Sequence, residues 1–254
     1  MISKNHVKHI QTLHSKKHRD EHAMFIIEGT KIVSEFLNSD TYQILEVLGV
    51  ANFIASNLEL LESKNIPFSE ITEDELKKIS TQQSPNQVLA LVKMQDPALK
   101  NQTKLIDSCL YLDDIRDPGN LGTIIRIADW FGINQVFCSK QCTELYNPKT
   151  LQATMGAVLR VNVEYIDFEN LLLKNKSLPV YGAVLNGENI YQTELKNGII
   201  VIGNEANGIS EAILKQITLP ITIPSASING SESLNAANAC AIICSEFHRQ
   251  LNFK

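Results

Sequence analysis

Three short segments of the 254-residue chain carry side chains that a plain turn does not need. The first is Asp117-Pro118-Gly119-Asn120-Leu121-Gly122, with Arg126 a few residues on. Asp, Pro, Gly and Asn are ordinary turn residues, so the loop by itself says little. Arg126 says more, because it stands between Ile125 and Ile127 in a stretch otherwise apolar or small. A guanidinium there calls for a planar anionic partner, either a phosphate or the carboxylate of a structural salt bridge. The second segment, Gly203-Asn204-Glu205-Ala206-Asn207-Gly208, sets a carboxylate between glycines. Glycine lets backbone approach a ligand closely, or simply turns the chain. The third runs from Ile223-Pro224 to Ser233-Leu234-Asn235, small and polar, with Ser231 or Ser233 able to cap a helix. The first loop is not the GxGxxG fingerprint, so it does not support a dinucleotide site.

Each segment lies at the end of a predicted element. CLYLDD (109–114) reads as a strand, IRDPGN as its loop, and LGTIIRIADWF as a helix that Gly132 can end. INQVFCS is a strand, a helix follows over 148–159, and VNVEYI, PVYGAVL and GIIVIGNE are strands. Ser210 caps a helix EAILKQ, ITLPITIP is extended, and SLNAANACAIICSEFHRQL is a long terminal helix. This alternation predicts an α/β domain with a mostly parallel sheet, whose ligands lie at the carboxyl ends of strands. Upstream, residues 5–15 suit a helix, MFIIEG a strand, and Thr30 a cap for TKIVSEFLN. YQILEVLGV and NFIAS read as strands, NLELLESKN and TEDELKKIS as surface helices, and QVLALVKM as a closing strand. The polar, Pro97-containing QDPALKNQTK then reads as a linker. The expected organisation is therefore a small α/β domain over 1–95, a linker over 96–104 and a larger α/β domain over 105–254.

Composition narrows the class. With 44% hydrophobic and 20% charged residues the chain is an ordinary globular protein, neither disordered nor fibrous. No apolar run approaches a membrane span, and MISKNHVKHIQTLHSKKHRDEH lacks the apolar middle of a signal peptide, so the cytoplasm is expected. The five cysteines, 109, 138, 142, 240 and 244, show no CxxC spacing. Neither a disulfide framework nor a zinc ribbon is expected of them, and burial as small apolar residues is. The net charge of −5 would repel a polyanion, so nucleic-acid binding needs a local patch. One is available where Lys4, Lys8, Lys16, Lys17, Arg19 and Lys31 outnumber Asp20, Glu21 and Glu28, beside His6, His9, His14, His18 and His22. A solvated helix face is the plain alternative.

Taken together and in order, the three segments resemble the SpoU, or TrmH-like, family of RNA 2′-O-ribose methyltransferases. The match rests on DPGNLGTIIRIADWFGI with Asn120 and Arg126, on GNEANGIS with Glu205, and on IP followed by Ser233, Leu234 and Asn235. ATMGAVLRV, where Thr154 stands for a usual Ser, matches more weakly. The front of the chain also looks like the ribosomal-protein-like α/β substrate-binding domain of many members. Between Pro224 and Ser233 the stretch SASINGSE is longer than the family's usual loop and lacks its common Met and Gly placement.

The resemblance implies a trefoil-knotted C-terminal domain, although true knots are nearly absent from proteins at large. It also implies bound S-adenosylmethionine and a homodimer. By matched position Leu185, Gly203, Ile223 and Leu234 would hold the cofactor. Arg126 would bind the phosphate next to the target ribose and orient its 2′-hydroxyl, since an arginine is a poor base at neutral pH. Asn120 and Glu205 would fix Arg126 and the ribose, Ser233 and Asn235 would complete the pocket, and Lys16, Lys17 and Arg19 would meet the RNA, ribosomal or transfer. The alternative is a catalytically silent RNA-binding protein with a dimerising knotted domain, against which Asn120, Arg126, Glu205 and Asn235 together speak. A dehydrogenase would need a glycine fingerprint followed by an acidic ribose ligand, which is missing.

Overall fold

The computed structural model describes residues 2–96, 107–226 and 233–253. The expected linker and most of SASINGSE fall outside them. The chain divides into two compact units, Met1–Leu99 with Tyr146–Leu159, and Lys100–Leu145 with Arg160–Lys254.

The first unit opens with α1 (Lys4–Thr12), α2 (Lys16–His22), β1 (Met24–Glu28), α3 (Thr30–Leu37) and β2 (Ile44–Gly49). It continues through α4 (Ala51–Ser63), β3 (Phe68–Glu70), α5 (Glu73–Ile79) and β4 (Val88–Lys93). The sheet order is β1-β4-β2-β3, with β4 antiparallel to both neighbours and β2 parallel to β3. Ile10 and Leu13 pack with Ile26, Leu48, Leu76, Ile79, Leu89 and Leu91. Thr72 starts α5 with a reciprocal capping box, accepting from Glu75 N while the Glu75 carboxylate accepts from Thr72 N.

Three expectations need correction in this unit. NFIAS is not a strand, because it and NLELLES form the single helix α4, whose Phe53, Ile54 and Leu61 are buried on one side. Thr30 is the first residue of α3, and Gly29 takes the cap position at φ 100°. Arg19 is not an exposed cation. It is 2% exposed, and its guanidinium donates to the Leu13 and His14 carbonyls at 2.8 and 2.9 Å, satisfying acceptors left over at the end of α1. Lys16 and Lys17 are exposed as expected.

The second unit contains β5 (Cys109–Leu112), α6 (Pro118–Trp130) and β6 (Gln135–Cys138). Next in the chain comes α7 (Pro148–Thr154), which packs with the first unit: Tyr146 stacks on Phe25 at 4.5 Å and Gln152 accepts from Gln82 at 3.2 Å. The helix expected over 148–159 breaks at Met155 and Gly156, both at positive φ, before a 3-10 turn at Ala157–Leu159. Then follow β7 (Asn162–Tyr165), α8 (Phe168–Lys174), β8 (Val180–Asn189), β9 (Ile199–Ile202), α9 (Glu211–Leu214), β10 (Leu219–Thr222) and α10 (Ala236–Asn252). Neither α8 nor β3 is anticipated by the sequence pattern. All five cysteines are free and buried. Among the described residues no helix is long and apolar enough to cross a membrane.

Every strand pair of the second sheet is parallel, in the order β10-β8-β9-β5-β6-β7. The chain runs outward from β5 through β6 and β7, then returns to build β8, β9 and β10 on the other side. That reversal makes the carboxyl ends of β5 and β9 a topological switch point, where open α/β sheets place their ligands.

α10 is tied to the loop after β8 through its own acidic and amide side chains. Glu246 is 7% exposed, accepts from Arg249 at 2.8 and 2.6 Å, and accepts from Gln250, which also donates to the Thr193 carbonyl. The Arg249 hydrogen bond holds the Glu246 carboxyl below its usual value against the opposing effect of burial. A depressed carboxylate stabilises the fold above its unfolded pKa, and that contribution is lost as pH falls through the folded value. The melting-temperature gap between wild type and Glu246→Gln should therefore be widest near neutrality and close between about pH 5 and pH 3, as thermal melts across that range would show.

Candidate active site

The first loop leaves β5 on Asp113 and Asp114. Asp113 is buried and its carboxylate accepts from Ser210 N at 2.8 Å, while Asp114 takes φ 57° and turns the chain. Asp117 then caps α6 by accepting from Asn120 N at 2.8 Å, and Pro118 occupies the first helical position, where its missing N–H costs nothing. The cap fixes Asn120 in the first turn of α6.

The second loop leaves β9 at Gly203. Asn204 bridges to Gly208 with paired backbone hydrogen bonds of 2.9 and 3.0 Å. Its carboxamide oxygen accepts from Ala206 N and Asn207 N, and its Nδ2 donates to the Asp114 carbonyl at 2.7 Å, joining the second loop to the first. Gly203 is required here, because a Cβ would lie 2.3 Å from the Gly208 carbonyl carbon and 2.4 Å from Ile209 N.

The third loop re-enters the described residues at Ser233. Asn235, not Ser231 or Ser233, caps α10, since its side chain accepts from Ala237 N and Asn238 N. Ser231 lies outside the described residues. With its oxygen committed to the cap, Asn235 donates through Nδ2 to Asn120 Oδ1 at 3.0 Å, and Asn120 Nδ2 donates to Glu205 Oε1 at 2.8 Å. One hydrogen-bonded row, Asn235–Asn120–Glu205, thus joins all three loops at the switch point.

Arg126 is exposed on α6 and makes no hydrogen bond or ion pair among the described residues. It stands about 9 Å along the helix from Asn120, at 1.5 Å per residue. The Asn120 carboxamide is directed to Glu205 and Asn235 rather than to Arg126. The guanidinium is therefore left for a partner from outside. Ser233 is exposed two residues before Asn235.

Of the residues expected to hold a cofactor, Gly203 and Leu234 lie on the second and third loops, Ile223 directly follows β10, and Leu185 lies within β8. The β8–β10 register jumps from Gly182↔Pro220 to Glu188↔Ile221, so residues 183–187 bulge out, and Leu185 at their centre is 67% exposed. The Leu185 carbonyl accepts from Thr222 Oγ1 at 3.0 Å, which brings the bulge next to Ile223. Leu234, 50% exposed, immediately precedes Asn235. Leu185 and Leu234 offer exposed apolar surface and the Gly203 turn offers backbone polar groups, the two kinds of contact taken by a nucleoside with an apolar face and hydrogen-bonding edges.

Sequence reasoning passes over Arg116. It is exposed, its Nε donates to Asp114 Oδ1 at 2.8 Å, and Asp114 followed by Glu205 holds it more firmly protonated than a free arginine. It therefore adds a second positive charge beside the row. The only signal was the single arginine of IRDPGN, indistinguishable from an ordinary loop cation.

Known proteins resemble this chain along nearly its whole length. Residues 107–245 match the model of the SpoU rRNA Methylase family, and residues 4–90 match an MRM3-like substrate binding domain. The chain is 31% identical over 245 residues to the 23S rRNA (guanosine(2553)-2′-O)-methyltransferase RlmP of Bacillus subtilis, covering 93% of each. It is similar to a solved TrmH-family structure from Porphyromonas gingivalis, at 33% identity and a TM-score of 0.83 over 98% of this chain and 99% of that one. An AdoMet-bound rRNA methyltransferase from Sinorhizobium meliloti is 25% identical with a TM-score of 0.84, over 100% and 98% of the two chains.

Proposed function

The chain belongs to the SpoU rRNA methylase family, and on that premise we propose that the Asn235–Asn120–Glu205 row and Arg126 form the place where a ribose 2′-hydroxyl of RNA is methylated. The protein is an RNA 2′-O-ribose methyltransferase with S-adenosylmethionine as its cofactor. The observation that carries the assignment of the site is the row itself, which gathers the polar side chains of three loops at the carboxyl end of a parallel sheet.

When bound, S-adenosylmethionine supplies a methyl group on a sulfonium centre that is already electrophilic. The residues of the chain then have to present the hydroxyl in line, and positioning alone can supply much of the rate. Arg126, with its guanidinium uncommitted, binds the phosphate beside the target ribose and orients the 2′-hydroxyl, whose proton passes to solvent water at this exposed site. Its high pKa makes it an electrostatic partner rather than the base. Asn120 and Glu205 hold the ribose edge, and Ser233 and Asn235 close the pocket. Leu185, Gly203, Ile223 and Leu234 hold the cofactor through apolar contact and backbone groups.

In the same reading residues 105–254, apart from the Tyr146–Leu159 segment that packs with the first unit, form the trefoil-knotted methyltransferase domain and work as a homodimer. Trp130, 84% exposed at the end of α6, and Phe253, 68% exposed just after α10, support a second copy at that end. The five free cysteines suit the reducing cytoplasm. Residues 1–95 read the RNA, ribosomal or transfer, through Lys16 and Lys17. Replacing both with alanine should weaken RNA binding and lower the slope of log K against log salt by roughly 1.4 to 1.8, at about 0.7–0.9 per phosphate contact. Filter binding across a salt series measures this, and an unchanged slope would move the reading surface elsewhere.

The function is tested by mapping 2′-O-methyl sites in total RNA from cells with and without the gene. Loss of a methylated nucleotide on deletion, restored by wild type and not by an Arg126 variant, is the expected result. An unchanged map overturns the reading.

A further inference from the structure

Five of the six histidines lie in the first 22 residues, and RNA methylation uses none of them. Two are already engaged within the unit. His6 Nε2 faces Glu46 Oε2 at 2.8 Å, and His14 Nε2 is 3.0 Å from the Ile79 carbonyl. The other three, His9, His18 and His22, converge on the outer side of the α1–α2 pair. His18 and His22 are one helical turn apart on α2, with ring centroids at 6.3 Å, and the His9 ring of α1 meets His22 edge-on at 4.9 Å. Glu21 completes the group, its Oε2 3.2 Å from His18 Nδ1.

We propose that His18, Glu21 and His22 form a divalent transition-metal site, with His9 available as a further ligand from α1. Their donor atoms all lie within 4.8 Å of one another, so one ion can reach all three with small side-chain rotations. Helical spacings of three and four put the three residues on one face of α2. Histidines at i and i+4, as in His18 and His22, are the pair that zinc proteins with H-x-x-E-H on a helix use as ligands. Two imidazoles, borderline nitrogen ligands, beside a single hard carboxylate suit Zn2+ over Mg2+ or Ca2+. His9 would bring the set to four, the usual number for a closed zinc site. The carboxylate already placed against His18 would turn from hydrogen-bond partner to ligand. An ion bound there would bridge α1 to α2 and add positive charge close to Lys16 and Lys17, on a face that net charge otherwise leaves weakly basic.

The probe is ZnCl2, titrated calorimetrically into the full-length protein after dialysis against a chelator, with MgCl2 in parallel. Wild type should bind one equivalent of Zn2+ that Mg2+ does not displace, and its melting temperature should rise with zinc concentration. His22→Ala and His18→Ala should each weaken that binding at least tenfold, and His9→Ala should weaken it less. His248→Ala, in the second unit, should leave it unchanged and controls for adventitious histidine binding. Circular dichroism melts without metal check that each variant folds, and His22→Gln offers a second replacement at that exposed position. Zinc binding equal in wild type and in the His18→Ala/His22→Ala double variant would overturn the site. No binding by wild type would overturn it outright.

Discussion

Arg126→Lys should lower kcat for RNA methylation on the order of 100-fold, equivalent to about 2.7 kcal/mol in the barrier. Charge is kept, but the planar fork of donors becomes a single flexible ammonium. The size of the effect follows from what surrounds the side chain. Arg126 is exposed and makes no ion pair among the described residues, so its replacement breaks no fold contact seen there, and the melting temperature should move little. Cofactor affinity should also hold, because Leu185, Gly203, Ile223 and Leu234 lie on other loops. Single-turnover methylation and calorimetric titration of S-adenosylmethionine on one preparation decide the matter. A lysine variant with near-normal turnover would remove Arg126 from the reaction, and one that failed to bind cofactor would make it structural.

Gly203→Ala should produce the complementary loss, a fall in cofactor affinity on the order of 100-fold, or about 2.7 kcal/mol. The added Cβ meets the Gly208 carbonyl carbon at 2.3 Å, Ile209 N at 2.4 Å and the Gly208 oxygen at 2.6 Å, all of them backbone. No rotamer change relieves such a clash, so the bridge between Asn204 and Gly208 must open and Glu205 must leave Asn120. Overpacking of this kind costs about 1–3 kcal/mol, and here the strain falls on a loop that two functions share. Gly208→Ala is the control. It costs roughly 1 kcal/mol for its left-handed φ of 68°, yet finds open space around its Cβ. Calorimetric titration of both variants should show the larger loss at Gly203, and equal losses would mean that loop flexibility, not close packing, sets affinity.

Local chemistry was the readable part of this molecule. Asp117 and Pro118 announce the start of α6, Thr72 and Glu75 announce α5, and Gly132 ends α6 at φ 71°, because each signal acts within a few residues. The row at the candidate site was not readable by spacing, since Asn120 lies 85 residues from Glu205 and 115 from Asn235. Only the resemblance brought those positions together. The misreadings have local causes too. NFIAS contains the apolar residues of a strand, and only with the residues after it does a helical face emerge. Arg19 sits in a basic run, where nothing marks the one cation that turns inward to cap a neighbouring helix. The bulge at 183–187 depends on the register between β8 and β10, which no single segment encodes.

The placement of Tyr146–Leu159 in the first unit has a consequence for how the protein is made. The first unit is discontinuous in sequence, so a ribosome that has released only the first hundred residues has not yet delivered Tyr146 to Phe25 or Gln152 to Gln82. During synthesis the first sheet waits for a segment encoded inside the second unit, and three chain crossings, rather than one, connect the finished pieces. A protease cut between residues 97 and 106 would sever only one of those crossings. The two fragments should stay together on a sizing column until denaturant is added, behaving as a nicked whole rather than as two independent domains.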